Sequence, residues 1–245
     1  MGNTSFFTFS GRYVPQEIEE KYNNWYEAAY APLYMKNGNT KQIDRYKIIK
    51  KSYAMPPEIS FYHTINLELL KKTVDSDVSA VIRDTQTTFN KIQRFWLNAY
   101  ELVKSFRNIH PSQASIESTI VDDAPLIHIE GYKLPETEYA KYESWFNKWA
   151  SRFYIPLLLK IPGVKACNFL SLTDYKQPLY AGTRFVETDM PRYMSVIYFD
   201  SAESMETLNQ SAEFAVFKRS LEVEFSGNLK TVWNTEYQLF SSHRP

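Results

Sequence analysis

The sequence predicts an α+β fold made of two β-α-β-β-α-β modules in one chain. Three observations support this prediction. The chain has 245 residues, 44% of them hydrophobic, which is enough for a well-buried core. Residues of the first half recur in the same order in the second half. Each half also shows strand-like and helix-like hydrophobic patterns in the same succession.

The internal repeat consists of three blocks, each with a constant offset. At an offset of 120 residues, Gly11, Pro15, Lys21, Tyr22 and Trp25 recur as Gly131, Pro135, Lys141, Tyr142 and Trp145. At offsets of 135 and 137, Met55 recurs as Met190 and Trp96 as Trp233. Because the offset changes only between blocks, insertions fall in loops. The repeat predicts a first module at 1–108, a Ser-, Asp- and Pro-rich linker at 109–124, and a second module at 125–245 with an insertion at 173–190.

The first module begins with a short aromatic and β-branched run from Phe6 to Tyr13, which predicts a strand. Pro15 suits a first helical turn, and apolar residues follow it at helical spacing as far as Leu33. The remaining patterns predict strands at 46–53 and 59–65, a helix at 67–81 and a final strand at 92–106.

The second module repeats this order. Its patterns predict a strand at 126–134, a helix at 135–160, strands at 164–172 and 193–200, a helix at 201–221 and a strand at 229–240. A four-stranded sheet with both helices on one face leaves its other face uncovered. We therefore expect the two sheets to pack face to face and to enclose an interior.

Residues 138–169, EYAKYESWFNKWASRFYIPLLLKIPGVKACNF, resemble the EthD-type branch of the dimeric α/β-barrel superfamily. The matching features are an aromatic pair on the first helix, a Pro-Leu at its end, a Pro-Gly step into the next strand and a strand-to-helix junction. They correspond to Trp145-Phe146, Pro156-Leu157, Ile161-Pro162-Gly163-Val164 and residues 199–205. The resemblance implies two ferredoxin-like repeats, packed sheet to sheet as a dimeric α/β barrel within one chain.

The chain departs from that branch at a position of functional interest. The branch usually carries a His two residues before the helix Pro, where this chain has Tyr30 and Tyr154. The wider superfamily includes cofactor-independent oxygenases, cyclases, isomerases, haem proteins and ligand-binding modules. The resemblance therefore implies a fold but does not identify one reaction.

Composition excludes several functional classes. Lys plus Arg and Asp plus Glu number 28 each, so no charge excess favours nucleic acid or an anionic membrane surface. No run of eighteen apolar residues predicts a membrane span. A single cysteine, Cys167, gives neither an internal disulfide nor a metal-ligand spacing, and predicts a cytoplasmic protein. We find no nucleotide-binding, nucleophile-elbow or metal motif, so no cofactor and no metal is predicted.

The candidate catalytic residues are His128, Glu130 and Tyr154. Strand parity, with Ile127 and Ile129 assigned to the helix-covered face, would place His128 and Glu130 side by side on the opposite, interior face. A carboxylate beside an imidazole can form an acid/base pair. The alternative is that both lie near a strand end and meet water.

Further residues are candidates for ligand contacts. Tyr30 is the first-module counterpart of Tyr154, and Arg184 lies in the insertion, which we interpret as a lid or as a surface loop. Two aromatic pairs occupy alternate positions in the two final strands and could line the interior or fill the core: Trp96 with Tyr100, and Trp233 with Tyr237.

The sequence thus predicts a protein that binds a small apolar or aromatic molecule, which could be carboxylated, with cofactor-independent oxygenation, cyclisation or isomerisation among the reactions that fit. The alternative is a non-catalytic interaction protein whose core is filled by its own rings. A third hypothesis is haem binding through His128 or His63. As for assembly, we expect a monomer with an internal pseudo-dimer, or a further homodimer.

Overall fold

The structure is a computed structural model that describes residues 6–36, 38–50, 55–73, 89, 91–107, 124–135, 139–176, 184–185, 190–225 and 228–244. It is an α+β protein that divides into two compact units. Unit 1 comprises Met1–Glu101, Leu172–Thr188 and Leu239–Pro245. Unit 2 comprises Leu102–Ser171 and Asp189–Gln238.

Unit 1 contains an antiparallel sheet with helices on one face. Its elements are β1 (Phe6–Tyr13), α1 (Gln16–Trp25), a π-helix (Tyr26–Tyr30), α2 (Ala31–Met35), β2 (Thr40–Ile48), β3 (Glu58–Thr64), α3 (Leu67–Thr73) and the first part of β4 (Gln93–Arg107). The strands are ordered β2-β3-β1-β4, all antiparallel. Helix residues such as Tyr22 and Tyr26 share one core cluster with Ile43, Tyr62 and Ala99 of the sheet.

Unit 2 has the same succession of elements. These are β5 (Leu126–Lys133), α4 (Tyr139–Trp149), a π-helix (Ala150–Tyr154), α5 (Ile155–Leu158), the first part of β6 (Val164–Lys176), β8 (Tyr193–Phe199), α6 (Ala202–Leu208), α7 (Ala212–Phe225) and the first part of β9 (Lys230–His243). A two-residue strand, β7 (Arg184–Phe185), lies between β6 and β8 in sequence but belongs to unit 1, where it pairs with the first part of β4. The sheet order β6-β8-β5-β9 matches the order in unit 1.

Most elements lie where the sequence predicts them, but β2 does not. The prediction placed this strand at 46–53, whereas it runs from Thr40 to Ile48. The reason is that buried polar residues interrupt its hydrophobic pattern: Gln42 and Arg45 are 3% and 1% exposed. Asn23 and Glu27 of the helical segment accept hydrogen bonds from the Arg45 guanidinium, which compensates its burial.

Two other predicted segments differ from the structure. The predicted helix at 201–221 is two helices, separated at Asn209–Ser211. The predicted insertion does not begin as a loop, because β6 continues to Lys176 and Tyr175 belongs to the unit 1 core. The rest of the insertion, apart from β7 and Met190, and all of the linker except Ala124 lie outside the described residues, as does the end of the helix predicted at 67–81.

The two motifs that carry the family resemblance touch each other. Gly163, in the Pro-Gly step, has φ +79°, and a Cβ built on it would lie 1.9 Å from Ser204 Oγ. The backbone N–H of Asp200 donates to the carbonyl of Gly163, and Ser201 caps α6 by accepting from the Ser204 backbone N–H. A glycine is thus required both by the left-handed backbone and by the close approach of α6.

No helix among the described residues is long and apolar enough to cross a membrane.

Candidate functional site

Glu130 lies in the middle of β5, with its side chain on the helix-covered face of the unit 2 sheet. Leu126 and Tyr132, which share its parity, belong to the same core cluster as residues of α4 and α7. The parity assigned from sequence is therefore wrong: His128 and Glu130 point toward the helices, and Ile127 and Ile129 point away from them. Every residue from Leu126 to Tyr132 is buried, so hydrophobic alternation could not distinguish the two faces.

Two tyrosine hydroxyls hold the Glu130 carboxylate. Tyr154 donates to Oε2 at 2.7 Å, and Tyr132 donates to the same oxygen at 2.5 Å. Both hydrogen bonds go to Oε2, and Oε1 lies 3.6 Å from His128 Nε2. One carboxylate oxygen is thus saturated, while the other retains acceptor capacity.

The environment keeps Glu130 ionised although its side chain is only 3% exposed. Burial pushes the pKa of Glu130 upward, but the nearby His128 imidazole and the two tyrosine hydroxyls outweigh burial, so its pKa lies below the usual value. Burial, followed by the Glu130 charge, raises the pKa of both Tyr132 and Tyr154. The tyrosines therefore remain protonated donors to an anionic carboxylate.

The π-helix positions Tyr154 against this carboxylate. π-Helical spacing brings residues five apart onto one side, and the ring of Trp149 stacks on Tyr154 at 5.4 Å and 8°. Phe217 of α7 also stacks on Tyr154, with the ring centroids 4.1 Å apart, and contacts Trp149 as well. Tyr154 thus belongs to a cluster of three aromatic rings, whose packing fixes the direction of its hydroxyl.

His128 is fully buried between two carboxylates. Its Nε2 lies 3.6 Å from Glu130 Oε1, and its Nδ1 lies 3.9 Å from Glu236 Oε1. Among the described residues, neither ring nitrogen has a hydrogen-bond partner. Phe214 meets the imidazole edge-on, with the ring centroids 6.3 Å apart.

A cavity of about 370 Å³ lies beside Glu130 within unit 2. Its walls are Glu130, Phe217, Lys218, Leu221, Leu229, Thr231 and Asn234. This volume is within the range of small-molecule sites. Ring and aliphatic walls, with a few polar groups from adjacent strands, suit a compound that is apolar over most of its surface.

In unit 1 the buried charged residue of the first strand is a cation, Arg12, instead of the anion Glu130. Thr8 and Ser10 stand where unit 2 has His128 and Glu130, and Arg12, which stands where unit 2 has Tyr132, is 1% exposed. Arg12 donates to Tyr22 at 2.6 Å and to Ser60 at 2.5 Å. Arg12 is not among the predicted site residues, although a charged residue inside a buried strand is a signal that could have identified it.

The other candidate residues do not join the Glu130 site. Tyr30 is in unit 1, where its hydroxyl donates to Tyr34 at 3.2 Å. Arg184 pairs with Gln93 in unit 1 and is not among the residues that line the cavity. Tyr100 packs on Phe9, with the ring centroids 5.3 Å apart.

Trp233 and Tyr237 are buried on the face of β9 that points away from the unit 2 helices. Their partners in the register are Gly131 and Ile127. The side chain of Trp96, the first-module counterpart of Trp233, lies outside the described residues.

The described residues offer little support for haem or for a metal ion. The cavity walls contain neither an imidazole nor a thiol. His128 faces carboxylates, and His63 stacks on Phe7, with the ring centroids 5.1 Å apart. Within the described part of the chain, no group of three or more His, Cys, Asp or Glu is arranged to hold a metal ion.

Comparison with known proteins finds the fold but not a family. No family model matches the sequence, and no curated protein matches it. Among solved structures, an anthrone oxidase-like protein is similar at a TM-score of 0.60 and 11% identity, covering 99% of this chain and 94% of its own.

Two further structures show the same likeness. A predicted monooxygenase of Fusobacterium nucleatum has a TM-score of 0.59 and 8% identity, covering 100% of this chain and 96% of its own. A variant of chlorite dismutase from Candidatus Nitrospira defluvii has a TM-score of 0.59 and 12% identity, covering 97% and 91%. The likeness shows an α+β fold of the dimeric α/β-barrel type.

Proposed function

We propose that the protein binds a small, largely apolar aromatic compound in the unit 2 cavity, and that a hydroxyl group of this compound donates to Glu130. The observation that carries the proposal is the ionised Glu130 carboxylate at the cavity wall, whose two tyrosine hydrogen bonds both go to Oε2. A carboxylated ligand would place a second negative charge beside this one, which disfavours the carboxylated class that the sequence left open.

The cavity wall matches such a compound. Phe217 offers an aromatic face, and Leu221 and Leu229 offer aliphatic contacts. Asn234 and Thr231 flank the carboxylate with groups that both donate and accept hydrogen bonds. The alternative of a core filled by its own rings is not favoured, because unit 2 contains a cavity of sufficient volume.

The reaction we propose is of the cofactor-independent kind, an oxygenation, cyclisation or isomerisation that begins with removal of a proton from the bound compound. The structural neighbours include an anthrone oxidase-like protein and a predicted monooxygenase, which supports this class of chemistry as a proposal for this chain. We also propose that the chain arose by duplication of an EthD-like module.

Three related naphthalenes test the binding proposal. We expect 1-naphthol to bind, 1-methoxynaphthalene to bind at least about tenfold more weakly, because it lacks the donor, and 1-naphthoate to bind more weakly still. Isothermal titration calorimetry measures the three affinities. In Glu130→Gln the preference for naphthol over its methyl ether should fall to within about threefold, because an ionised acceptor is lost.

A control variant is provided by Glu206→Gln, which changes an exposed carboxylate on α6 and should leave all three affinities unchanged. Equal affinities for naphthol and its methyl ether in the wild-type protein, or no binding of any of the three, would reject the proposal.

A further inference from the structure

We propose that His128 and Glu236 form a proton path that connects Glu130, at the cavity, with solvent. The proposal rests on the proposed function for its use in a reaction, since Glu130 would receive the proton from the bound compound. The existence of the path, however, can be tested without any ligand.

The strand register places the three groups in a row. His128 and Glu130 are two residues apart on β5 and share a face. On the neighbouring strand β9, Glu236 is the register partner of His128, and Asn234 is the partner of Glu130. Side chains of directly paired residues lie on the same side of a sheet, so Glu236, His128 and Glu130 form a continuous line of ionisable groups.

The distances follow the same line. His128 presents Nε2 to Glu130 at 3.6 Å and Nδ1 to Glu236 at 3.9 Å. Both N···O distances are within about 1 Å of a hydrogen-bond length. Donor–acceptor distances in proton-transfer sites are often longer before a ligand binds than afterwards. Each of the two ring nitrogens thus faces a different carboxylate.

The burial of His128 and Glu236 differs along this line of groups. A fully buried imidazole without hydrogen bonds costs stability, and His128 is 0% exposed, with no hydrogen bond to either nitrogen from any residue that the structure describes. Glu236 is 13% exposed on its side chain, so it reaches solvent at the far end. The arrangement has a buried middle and two accessible ends, one at the cavity and one at the surface.

The neighbouring hydroxyl and thiol groups do not offer an equivalent route. Tyr132 and Tyr154 already donate their protons to Glu130 Oε2. Cys167 is buried, and burial, followed by the Glu130 charge, raises the pKa of its thiol. A proton that arrives on Glu130 Oε1 therefore passes most readily to the adjacent Nε2 of His128.

The transfer balances as a sequence of proton movements. The bound compound's O–H bond breaks and its proton joins Glu130 Oε1. That proton passes to His128 Nε2, while the proton on Nδ1 passes to Glu236 Oε1 and then to water. The imidazole is left as its other tautomer, and the reverse transfer restores the starting state. No oxidation or reduction accompanies these steps.

Exchange of the His128 ring protons with water tests the path. Selective ¹⁵N labelling of the four histidines gives few ring resonances, and His128→Gln identifies the one from His128. Water-exchange spectroscopy then measures how fast the ring N–H protons exchange in the wild-type protein, in Glu130→Gln, in Glu236→Gln and in the double variant.

With Glu130 replaced, exchange can proceed through Glu236 alone, so adding Glu236→Gln should slow it at least about tenfold. With Glu236 replaced, exchange can proceed through Glu130 alone, so adding Glu130→Gln should also slow it at least about tenfold. If either comparison shows no slowing, that end of the path is absent and the proposal fails.

Two further variants serve as a control and as a substitute for Glu130→Gln. Glu206→Gln is the matched surface control and should exchange at the wild-type rate. If Glu130→Gln does not fold, Leu221→Trp, which fills the cavity, takes its place in both comparisons. Failure of 1-naphthol to bind would reject the proposed function while leaving the exchange result unaffected, so the two failures can be told apart.

Discussion

Replacing Tyr154 with Phe should cost markedly more stability than the same change at its counterpart Tyr30. Both tyrosines end a π-helix, are buried and donate one hydrogen bond. They differ in the acceptor, which is the Glu130 carboxylate for Tyr154 and the neutral Tyr34 hydroxyl for Tyr30. The pair therefore isolates the effect of a buried charge on one hydrogen bond.

The expected magnitudes follow from the acceptors. A hydrogen bond to a charged group contributes about 1.5–3 kcal/mol, and a neutral one about 0.5–1.5 kcal/mol. We expect Tyr154→Phe to lower the free energy of unfolding by about 2 kcal/mol and Tyr30→Phe by about 1 kcal/mol. The larger cost arises because Glu130 keeps its charge while it loses one of the two donors to Oε2.

The two variants should also differ in their pH dependence. The folded pKa of Glu130 is lowered, so its ionised form stabilises the fold above the usual carboxyl pKa, and this contribution is lost as pH falls through the lowered value. Tyr154→Phe removes one cause of the lowering. Its cost should therefore be full at neutral pH and shrink in acid, while the cost of Tyr30→Phe should stay constant.

Urea unfolding followed by circular dichroism, at about pH 7 and about pH 3.5, measures both effects. The wild-type protein measured at each pH is the reference. If both variants lose the same stability at neutral pH, or if the cost of Tyr154→Phe does not change with pH, then Glu130 is not the buried anion that we describe.

Three further predictions concern other parts of the chain. Gly163→Ala should lower the free energy of unfolding by more than about 2 kcal/mol, because a Cβ at this position would lie 1.9 Å from Ser204 Oγ. Gly38→Ala should cost about 1 kcal/mol, because Gly38 also has a positive φ, +69°, but a Cβ there would meet no atom closer than 4.0 Å. Thermal unfolding compares the two variants. Cys167 is buried and its thiol pKa is raised, so an aromatic disulfide reagent should label it in urea but not in the folded protein; rapid labelling of the folded protein would contradict this. His243→Ala should cost at most about 1 kcal/mol, because its partner Glu27, 2.7 Å away, is 41% exposed; a larger loss in urea unfolding would mean that this ion pair is better shielded than its exposure indicates.

The order and bounds of most elements could be predicted from local patterns. β1 has the predicted bounds, Phe6–Tyr13, and β3 differs from its prediction by one residue at each end. Such strands are regular in composition, so local preference and burial agree. The prediction of β2 was wrong because Arg45 is buried, and its charge is compensated by hydrogen bonds to Asn23 and Glu27 of a different element. No local sequence pattern indicates such contacts.

The candidate site was predicted in part. His128, Glu130 and Tyr154 were singled out, and the structure brings all three together. The missing members were Tyr132, which looked like an ordinary strand aromatic, and Glu236, whose role follows from its register with His128. Pairing between β5 and β9 joins residues about a hundred positions apart, and hydrophobic pattern does not fix which residue faces which.

By itself the sequence determined the succession of strands and helices, and the glycine at 163 that its motif requires. The tertiary structure alone decided on which face of β5 the charged residues lie. Both faces of that strand are buried, so hydrophobicity favours neither. The face is decided by the hydroxyl groups that can donate to a carboxylate. Tyr154 of the π-helix donates to Glu130 on the helix-covered face, so Glu130 can stay ionised there.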